Sequence, residues 1–176
     1  MPNNLLLTGP PGVGKTTIVR KVVDALGPRA GGFYTEEVRH QGKRVGFRIV
    51  TLEGKRAWLA RVGLSSRYRV GRYGVDIDAL ERVGVTAIQH ALASSDVIII
   101  DEIGRMELAS AAFVRVVDAA MDSVKPLVAT IMSKPHPTAT LFKTRSDVDL
   151  WTVTRENRDY LPQQVIAWVE AHLGPS

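Results

Sequence analysis

The spacing of apolar residues changes along the chain, and each spacing predicts a different element. The apolar run at residues 4–8 and the β-branched run at 96–101 are typical of strands buried on both faces. Residues 15–26 repeat apolar side chains at helical spacing until Gly27 and Pro28 end the pattern. The same reasoning predicts strands at 126–132 and 149–154 and helices at 76–93, 107–121 and 160–173.

Between residues 32 and 60 the spacing shifts to two, which predicts strands that pair antiparallel. The turn QGK at 41–43 and a second turn at Glu53-Gly54 separate these strands. The whole order predicts an α/β protein, with a mostly parallel, doubly wound sheet and one antiparallel hairpin insertion or meander. A chain of 176 residues that is 45% hydrophobic suits a single domain, residues 1–176.

Composition narrows the classes of partner. The sequence has no cysteine, so thiolate metal sites and disulfides are excluded. It has no apolar stretch of membrane-spanning length and no signal-peptide pattern, so we expect a cytoplasmic protein without a membrane partner. A net charge of +5 favours an anionic ligand such as a nucleoside triphosphate, while basic residues scattered along the sequence support a nucleic acid only weakly. The oligomeric state stays open, with a monomer favoured.

A glycine-rich loop joins the first strand to the first helix. Its sequence GPPGVGKT, from Gly9 to Thr16, matches the pattern G-x-x-x-x-G-K-[ST] in full, with the strand before it and the helix after it that this motif requires. Bare backbone amides and the helix N-terminus together form a cradle for phosphate oxygens. We expect Lys15 to reach the β- and γ-phosphates, Thr16 to bind Mg²⁺ and Thr17 to contact the α-phosphate.

Two adjacent carboxylates follow the β-branched run. Asp101 stands where a parallel strand should end, the edge at which open α/β sheets bind ligands, so we expect it to serve the metal together with Thr16. Glu102 could orient and deprotonate a water molecule for attack on the γ-phosphate. The pair favours a hydrolase; the alternative is that Glu102 is only a neighbouring charge.

Further motifs resemble those of a known family, the small nucleoside-triphosphatases of thermophilic bacteria, archaea and animals that include the cancer-related nucleoside-triphosphatase. The segments GGFYTEEVRHQGKRVGFRIVTLEG at 31–54, VGRYGVD at 70–76, DEIGRMEL at 101–108 and TVTRENRDYLP at 152–162 match its motifs in order and spacing. The resemblance covers nearly the whole chain. It implies a RecA-like P-loop fold and Mg²⁺-dependent hydrolysis of several nucleoside triphosphates, with little selectivity for the base.

The resemblance also implies which residues line the nucleotide site. They are the loop and the segment around the acidic pair: Gly9, Pro10, Pro11, Gly12, Val13, Gly14, Lys15, Thr16, Thr17, Ile98, Ile99, Ile100, Asp101, Glu102, Ile103, Gly104 and Arg105. Among them, Lys15, Glu102 and Arg105 are the predicted catalytic residues, and Thr16 and Asp101 the predicted metal ligands. The family more often has lysine after DEIG, so Arg105 departs from its pattern, and the two cations are not interchangeable.

Several assignments stay open at this point. A cation that stabilises charge on the γ-phosphate accelerates hydrolysis, and the candidates are Arg105, Arg72, Arg145 and Arg158. Tyr73 and Phe33 could stack on a base, although core packing is the favoured interpretation. The four histidines lack the spacing of a zinc site. Residues 132–147 are interpreted as a surface connection in preference to a mobile loop over the nucleotide.

Three functions compete. The leading one is a nucleoside-triphosphatase that uses water as the acceptor. The second is a P-loop kinase that transfers the γ-phosphate to a small molecule or a polynucleotide, although a glutamate beside the metal aspartate fits a kinase less well. The third is a nucleotide-gated module that binds RNA or DNA through its positive charge.

Overall fold

The computed structural model describes residues 1–175, and its framework is one nine-stranded sheet. The spatial order of the strands is β5-β6-β4-β3-β2-β7-β8-β1-β9. The strands are β1 (Asn4–Thr8), β2 (Ala30–His40), β3 (Lys43–Thr51), β4 (Arg56–Val62), β5 (Arg69–Val70), β6 (Tyr73–Val75), β7 (Val97–Ile103), β8 (Leu127–Ile131) and β9 (Val148–Thr152).

Helices cover both faces of the parallel part of the sheet. They are α1 (Lys15–Leu26), α2 (Ile77–Ala79), α3 (Thr86–Ser94), α4 (Ala111–Asp122), α5 (Pro137–Lys143) and α6 (Leu161–Leu173). One apolar cluster joins α1 and α6 to one face, and the other joins α3 and α4 to the opposite face. The doubly wound α/β architecture predicted from the sequence is therefore confirmed.

The parallel strands run in the order β2-β7-β8-β1-β9, as in RecA-like folds. Here β8 lies between β1, which leads into the glycine-rich loop, and β7, which carries the acidic pair. Because parallel strands share one carboxyl edge, the segments that follow β1, β7 and β8 converge there. The topology thus brings the loop and the acidic pair to one place.

The antiparallel part contains the predicted strands β2, β3 and β4 and two further strands, β5 and β6. Strands β3, β4, β6 and β5 extend the sheet beyond β2, so antiparallel pairs are as numerous as parallel ones among the described residues. The hairpin of β2 and β3 turns at Gln41-Gly42, as the sequence predicts. Strands β5 and β6 have two and three residues, too few for a two-residue period to be recognised.

Two predicted helices differ from the structure. The helix expected at 76–93 includes a π-helical turn, Leu80–Val85, between α2 and α3. The helix expected from Glu107 starts only at Ala111, since the hydroxyl of Ser110 accepts the amide N–H of Phe113 at 3.0 Å and caps α4. Residues Glu107–Ala109 form a separate 3₁₀ turn.

Two further differences lie at the carboxyl edge of the sheet. Strand β7 runs to Ile103, so Asp101 and Glu102 lie within the strand and not after it. The register between β7 and β8 shifts at these two residues, and the peptide bond that joins them is cis. The segment interpreted as a surface connection contains helix α5, whose first turn is capped by the side chain of His136. Proline at the start of a helix is compatible with this turn.

We predict that Gly32→Ala severely destabilises the fold. Gly32 has φ +120°, and a Cβ there would lie 1.9 Å from the carbonyl oxygen of Ile99 in the neighbouring strand. The expected loss is about 3 kcal/mol or more of unfolding free energy, measured by chemical denaturation. In the control Gly54→Ala, φ is +95° but the space is open, so only backbone strain of about 1–2 kcal/mol applies. Equal losses would show that this close strand contact is unimportant.

Candidate active site

The glycine-rich loop presents backbone donors at the start of α1. Gly12 and Gly14 adopt φ +80° and +114°, conformations that side chains rarely take. Gly14 is the N-cap of α1 and provides no side-chain cap, and the first α-helical bond of the turn goes from Ile18 N–H to Gly14 at 3.1 Å. The amides of Lys15, Thr16 and Thr17 are therefore free of helical partners and can face an anion.

The ammonium of Lys15 links this loop to the acidic pair. It donates to the carbonyl oxygen of Gly9 at 2.7 Å and lies 3.2 Å from Oε2 of Glu102. The Lys15 side chain is only 8% exposed, so this charge is held in place and poorly screened. The structure thus brings together the lysine and the glutamate that the sequence predicted as catalytic.

Asp101 is buried beside them, with three hydroxyl or amide donors around its carboxylate. Oδ1 accepts the hydroxyl of Thr130 at 2.6 Å, Oδ2 accepts the amide of Thr35 at 3.4 Å, and the hydroxyl of Thr16 also faces the group. Burial raises the pKa of Asp101 to about 6, with a further contribution from the charge of Glu102. These donors offset only part of the cost of burying the charge.

The donor set at Asp101 fits Mg²⁺. A hydroxyl and a carboxylate are oxygen ligands of the type this hard cation prefers, and a divalent charge would stabilise a carboxylate whose pKa is now raised by burial. The described residues hold no cluster of three or more His, Asp or Glu side chains that could cage a metal alone. A magnesium ion that shares its coordination with phosphates and water needs only one or two protein ligands.

Glu107 is a third carboxylate at this edge, and the sequence interpretation missed it. It is only 4% exposed, and it accepts the amide of Gly104 at 3.1 Å. Burial is the main reason why the pKa of Glu107 rises to about 8, and repulsion from the charge of Glu102 also raises it. A Cβ on Gly104 would lie 2.6 Å from Oε1 of Glu102 and 2.9 Å from Oε2 of Glu107, so the glycine lets both carboxylates approach the same turn.

The isoleucine side chains of β7 lie in the apolar core and not at the surface of the glycine-rich loop. The side chains of the four isoleucines predicted to line the nucleotide site are fully buried in the two apolar clusters; they are Ile98, Ile99, Ile100 and Ile103. Val13 likewise packs in the core, whereas Pro10 and Pro11 are exposed. The isoleucines therefore support the strand that carries Asp101 and do not present side chains to a ligand.

The four candidate arginines lie in different places. Arg105 is exposed directly after β7. The guanidinium of Arg158 donates to the carbonyl of Val13 in the glycine-rich loop at 3.3 Å. Arg145 is engaged by three aspartates, Asp118, Asp122 and Asp147. Arg72 contacts Tyr73 and the carbonyl of Arg44 near the far edge of the sheet, roughly 30 Å from β1 by strand spacing. Only Arg105 and Arg158 adjoin the site.

Phe33 and Tyr73 are core residues. Phe33 is fully buried and packs against Phe113, with ring centroids 6.4 Å apart. Tyr73 is 5% exposed, and its hydroxyl accepts the guanidinium of Arg44 at 2.8 Å. Neither ring has a face free for a base, so core packing was the correct interpretation.

Lys143 brings a second ammonium toward the site. It is the last residue of α5, the helix that follows β8, and β8 is the strand between β1 and β7. Burial lowers the pKa of Lys143, and so does the charge of Lys15, which places the two ammonium groups in one electrostatic environment. The sequence signal is only a lysine within KTRSD at 143–147, which no motif distinguishes.

A cavity of about 260 Å³ adjoins the start of α1. Its lining includes Gly14, Thr17, Lys21, Arg158 and Pro162. A larger cavity, of about 620 Å³, opens where β2 begins, between α1 and α3, at the opposite edge of the sheet from the glycine-rich loop. The smaller cavity is therefore the one placed to continue the phosphate cradle.

A phosphate-cradling loop, a buried aspartate beside its threonine and a RecA-like strand order define a P-loop NTPase. The sequence model of the family described as NTPase matches residues 4–166. The chain is 45% identical to nucleoside-triphosphatase THEP1 of Thermotoga sp. (strain RQ2), over 97% of each chain. It is 38% identical to the human cancer-related nucleoside-triphosphatase, over 97% of this chain and 98% of that one.

Solved structures agree with this assignment. The crystal structure of THEP1 from Aquifex aeolicus superposes with a TM-score of 0.89 at 39% identity, covering 95% of this chain and 99% of that one. The solution structure of the human cancer-related nucleoside triphosphatase gives a TM-score of 0.83 at 39% identity, covering 96% and 98%. The chain belongs to this NTPase family and is a hydrolase. In the described residues no helix is long and apolar enough to cross a membrane.

Replacing Glu107 by glutamine should change how stability depends on pH. The folded-state pKa of about 8 lies above the ordinary value of 4.5, so burying this carboxyl costs stability as pH rises from about 4.5 through 8. Glutamine stays neutral and can still accept the Gly104 amide. We expect Glu107→Gln to gain stability over wild type across this range, by up to a few kcal/mol, in denaturation at pH 5, 7 and 9. A difference that is constant with pH would contradict the assignment.

Proposed function

We propose that the protein hydrolyses nucleoside triphosphates to the diphosphate and phosphate, depends on Mg²⁺ and accepts several bases. The observation that carries this proposal is the contact of 3.2 Å between the ammonium of Lys15 and the carboxylate of Glu102. The P-loop lysine is the group expected at the β- and γ-phosphates, so Glu102 lies within a few ångströms of the phosphorus to be attacked.

Binding relies on backbone and on one buried charge. The amides of residues 12–17 surround the phosphates, and Lys15 adds a fixed positive charge. Thr16 and Asp101 would hold Mg²⁺, which when bound neutralises charge on the phosphate oxygens. Thr130 and Thr35 orient the Asp101 carboxylate through the hydrogen bonds described above, and the hydroxyl of Thr16 faces the same carboxylate.

Glu102 serves as the general base. A triphosphate bound at Lys15 competes with Glu102 for the ammonium, and this frees the carboxylate to accept a proton from water. The water oxygen bonds to the γ-phosphorus, the bond from that phosphorus to the bridging oxygen breaks, and the diphosphate leaves with the bridging oxygen. The proton passes to Glu102.

Tolerance of different bases follows from the cavity beside α1. Arg158 and Pro162 offer flat surfaces there, and stacking on flat groups accepts any base because every base has a π face. Thr17 lies between this cavity and the phosphate cradle. We therefore expect the base to be held mainly by stacking.

Lys143 is our candidate for the cation that meets charge developing on the γ-phosphate. Its helix follows β8, the strand between the loop and the acidic pair, and its ammonium shares the electrostatic environment of Lys15. The sequence-based candidate Arg105 is exposed, while Lys143 is partly buried. A partly desolvated charge acts more strongly on a developing anion than an exposed one does.

Glu102→Gln should strongly reduce turnover and retain nucleotide binding. The amide cannot accept the proton from water, so we expect a fall of roughly 10²- to 10⁴-fold in phosphate release from Mg·ATP. Calorimetry should show binding at least as tight as in wild type, because Lys15 loses a competing carboxylate. The exposed control Glu53→Gln should keep wild-type turnover. Hydrolysis by Glu102→Gln at the wild-type rate would refute the role as base.

Lys143→Met should lower kcat by roughly 10- to 100-fold, with a smaller effect on KM, because the charge matters most in the transition state. The control is Lys134→Met, an exposed lysine in the same segment, which should leave kcat unchanged. Initial rates of phosphate release over a range of Mg·ATP concentrations separate the two parameters. An unchanged kcat in Lys143→Met would return the role to Arg105 or Arg158.

A further inference from the structure

Positive charge is concentrated in one part of the fold, although it is scattered along the sequence. The segment from Ala30 to Val75, which contains strands β2 to β6, has ten basic and three acidic residues, a net charge of +7. The remaining chain has thirteen basic and fifteen acidic residues, a net charge of −2. The net positive charge of the chain therefore comes from the segment that contains β2 and the antiparallel strands beyond it.

One face of this extension packs against helical segments. Phe33, Ile49 and Leu59 join the apolar cluster that includes Leu80, Val85 and Ile88 from the π-helical turn and α3. The opposite face carries a cross-strand row of Glu36, Arg48 and Trp58, and beside it a row of Tyr34, Val50 and Arg56. Helix α1 reaches the edge of this face, where its Arg20 lies over the ring of Tyr34.

We call the surface formed by Arg20, Tyr34, Arg48, Arg56, Trp58 and Arg61 the arginine face. The guanidinium carbons of Arg48 and Arg61 lie 5.2 and 5.6 Å from the ring centroid of Trp58, and that of Arg20 lies 5.2 Å from the ring of Tyr34. Glu36 lies 3.8 Å from both Arg48 and Arg56 and is the one carboxylate that pairs with these arginines in the described residues. Four arginines against one glutamate leave the face strongly positive.

This arrangement suits a single-stranded polynucleotide. Aromatic rings lie beneath the guanidinium groups of Arg20, Arg48 and Arg61, and such a planar cation can stack on a base or donate two hydrogen bonds to a phosphate. Proteins that bind single strands without sequence preference combine a positive surface with such stacking groups. A duplex hides the faces of its bases and would use only the charges. We propose that the arginine face binds single-stranded RNA or DNA, a role separate from nucleotide hydrolysis.

The test is fluorescence anisotropy of the full chain with labelled 20-nucleotide oligo(dT) and oligo(U), titrated at 50 and 200 mM salt. We expect both to bind wild type with steep salt dependence. The triple variant Arg48→Gln, Arg56→Gln and Arg61→Gln should lose affinity by on the order of tenfold or more, and the slope of log K against log salt should flatten by about 2. A tighter complex with oligo(U) would assign the surface to RNA, and one with oligo(dT) to DNA.

A matched control removes three basic residues elsewhere on the surface, Arg115→Gln, Arg155→Gln and Lys134→Gln, and should bind like wild type. Phosphate release from Mg·ATP without oligonucleotide should persist in the arginine-face variant, which separates this proposal from the proposed function. Three results would each overturn it: no binding at 50 mM salt, equal losses in both triple variants, or equal affinity for a 20-base-pair duplex. Unlabelled poly-glutamate and unlabelled oligo(dT) of equal charge can be compared as competitors for the labelled oligonucleotide. If poly-glutamate displaces it as effectively as oligo(dT) does, recognition of nucleic acid is refuted.

Discussion

The carboxylates of Asp101, Glu102 and Glu107 lie near the carboxyl end of β7, beside the buried ammonium of Lys15. The rest of the site depends on how this one positive charge balances the three acidic groups. Asp101 and Glu107 are almost fully buried, and burial raises the pKa of each, to about 6 and about 8. Of these three carboxylates, only that of Glu102 forms an ion pair with Lys15. Each remaining carboxylate then has a distinct task. The hydroxyl of Thr130 donates to Asp101, which also faces the hydroxyl of Thr16, and Glu107 accepts the amide of Gly104.

The parallel and antiparallel halves of the sheet carry different charged groups. In the parallel half, the strand order places the glycine-rich loop and the acidic pair at one edge, and helices cover both faces. In the antiparallel half, helical segments pack on one face, and the arginine face forms the other side. Strand β2 belongs to both halves: the amide of Thr35 donates to Asp101, and the next residue, Glu36, pairs with Arg48 and Arg56.

Elements set by strong local rules could be predicted from the sequence. Helix α1 begins at Lys15 and ends at Leu26 as predicted, since glycines flank it on both sides and its apolar residues keep a helical period. Helix α5 was missed because proline and threonine dominate its start, and its apolar residues Ala139 and Phe142 are too few to show a period. The late start of α4 depends on a single cap at Ser110, which competes with an equally plausible start at Glu107.

Residues that only tertiary contacts bring near the candidate site could not be recognised from the sequence. Glu107 looks like the first residue of a helix until the turn at Gly104 brings its carboxylate beside Glu102. Lys143 is 128 positions from Lys15 in the sequence, and only the order of the strands brings the two together. The arginine face likewise needs the register of β2, β3 and β4, because alternate residues of each strand separate to opposite faces.

In the proposed reaction, water activated beside the P-loop lysine attacks the γ-phosphorus. The direct measurement is hydrolysis of Mg·ATP in ¹⁸O-labelled water, with mass spectrometry of both products. We expect the inorganic phosphate to carry oxygen from water and the ADP to carry none. Label in the β-phosphate of ADP, or loss of the γ-phosphate into any acceptor other than water, would contradict it.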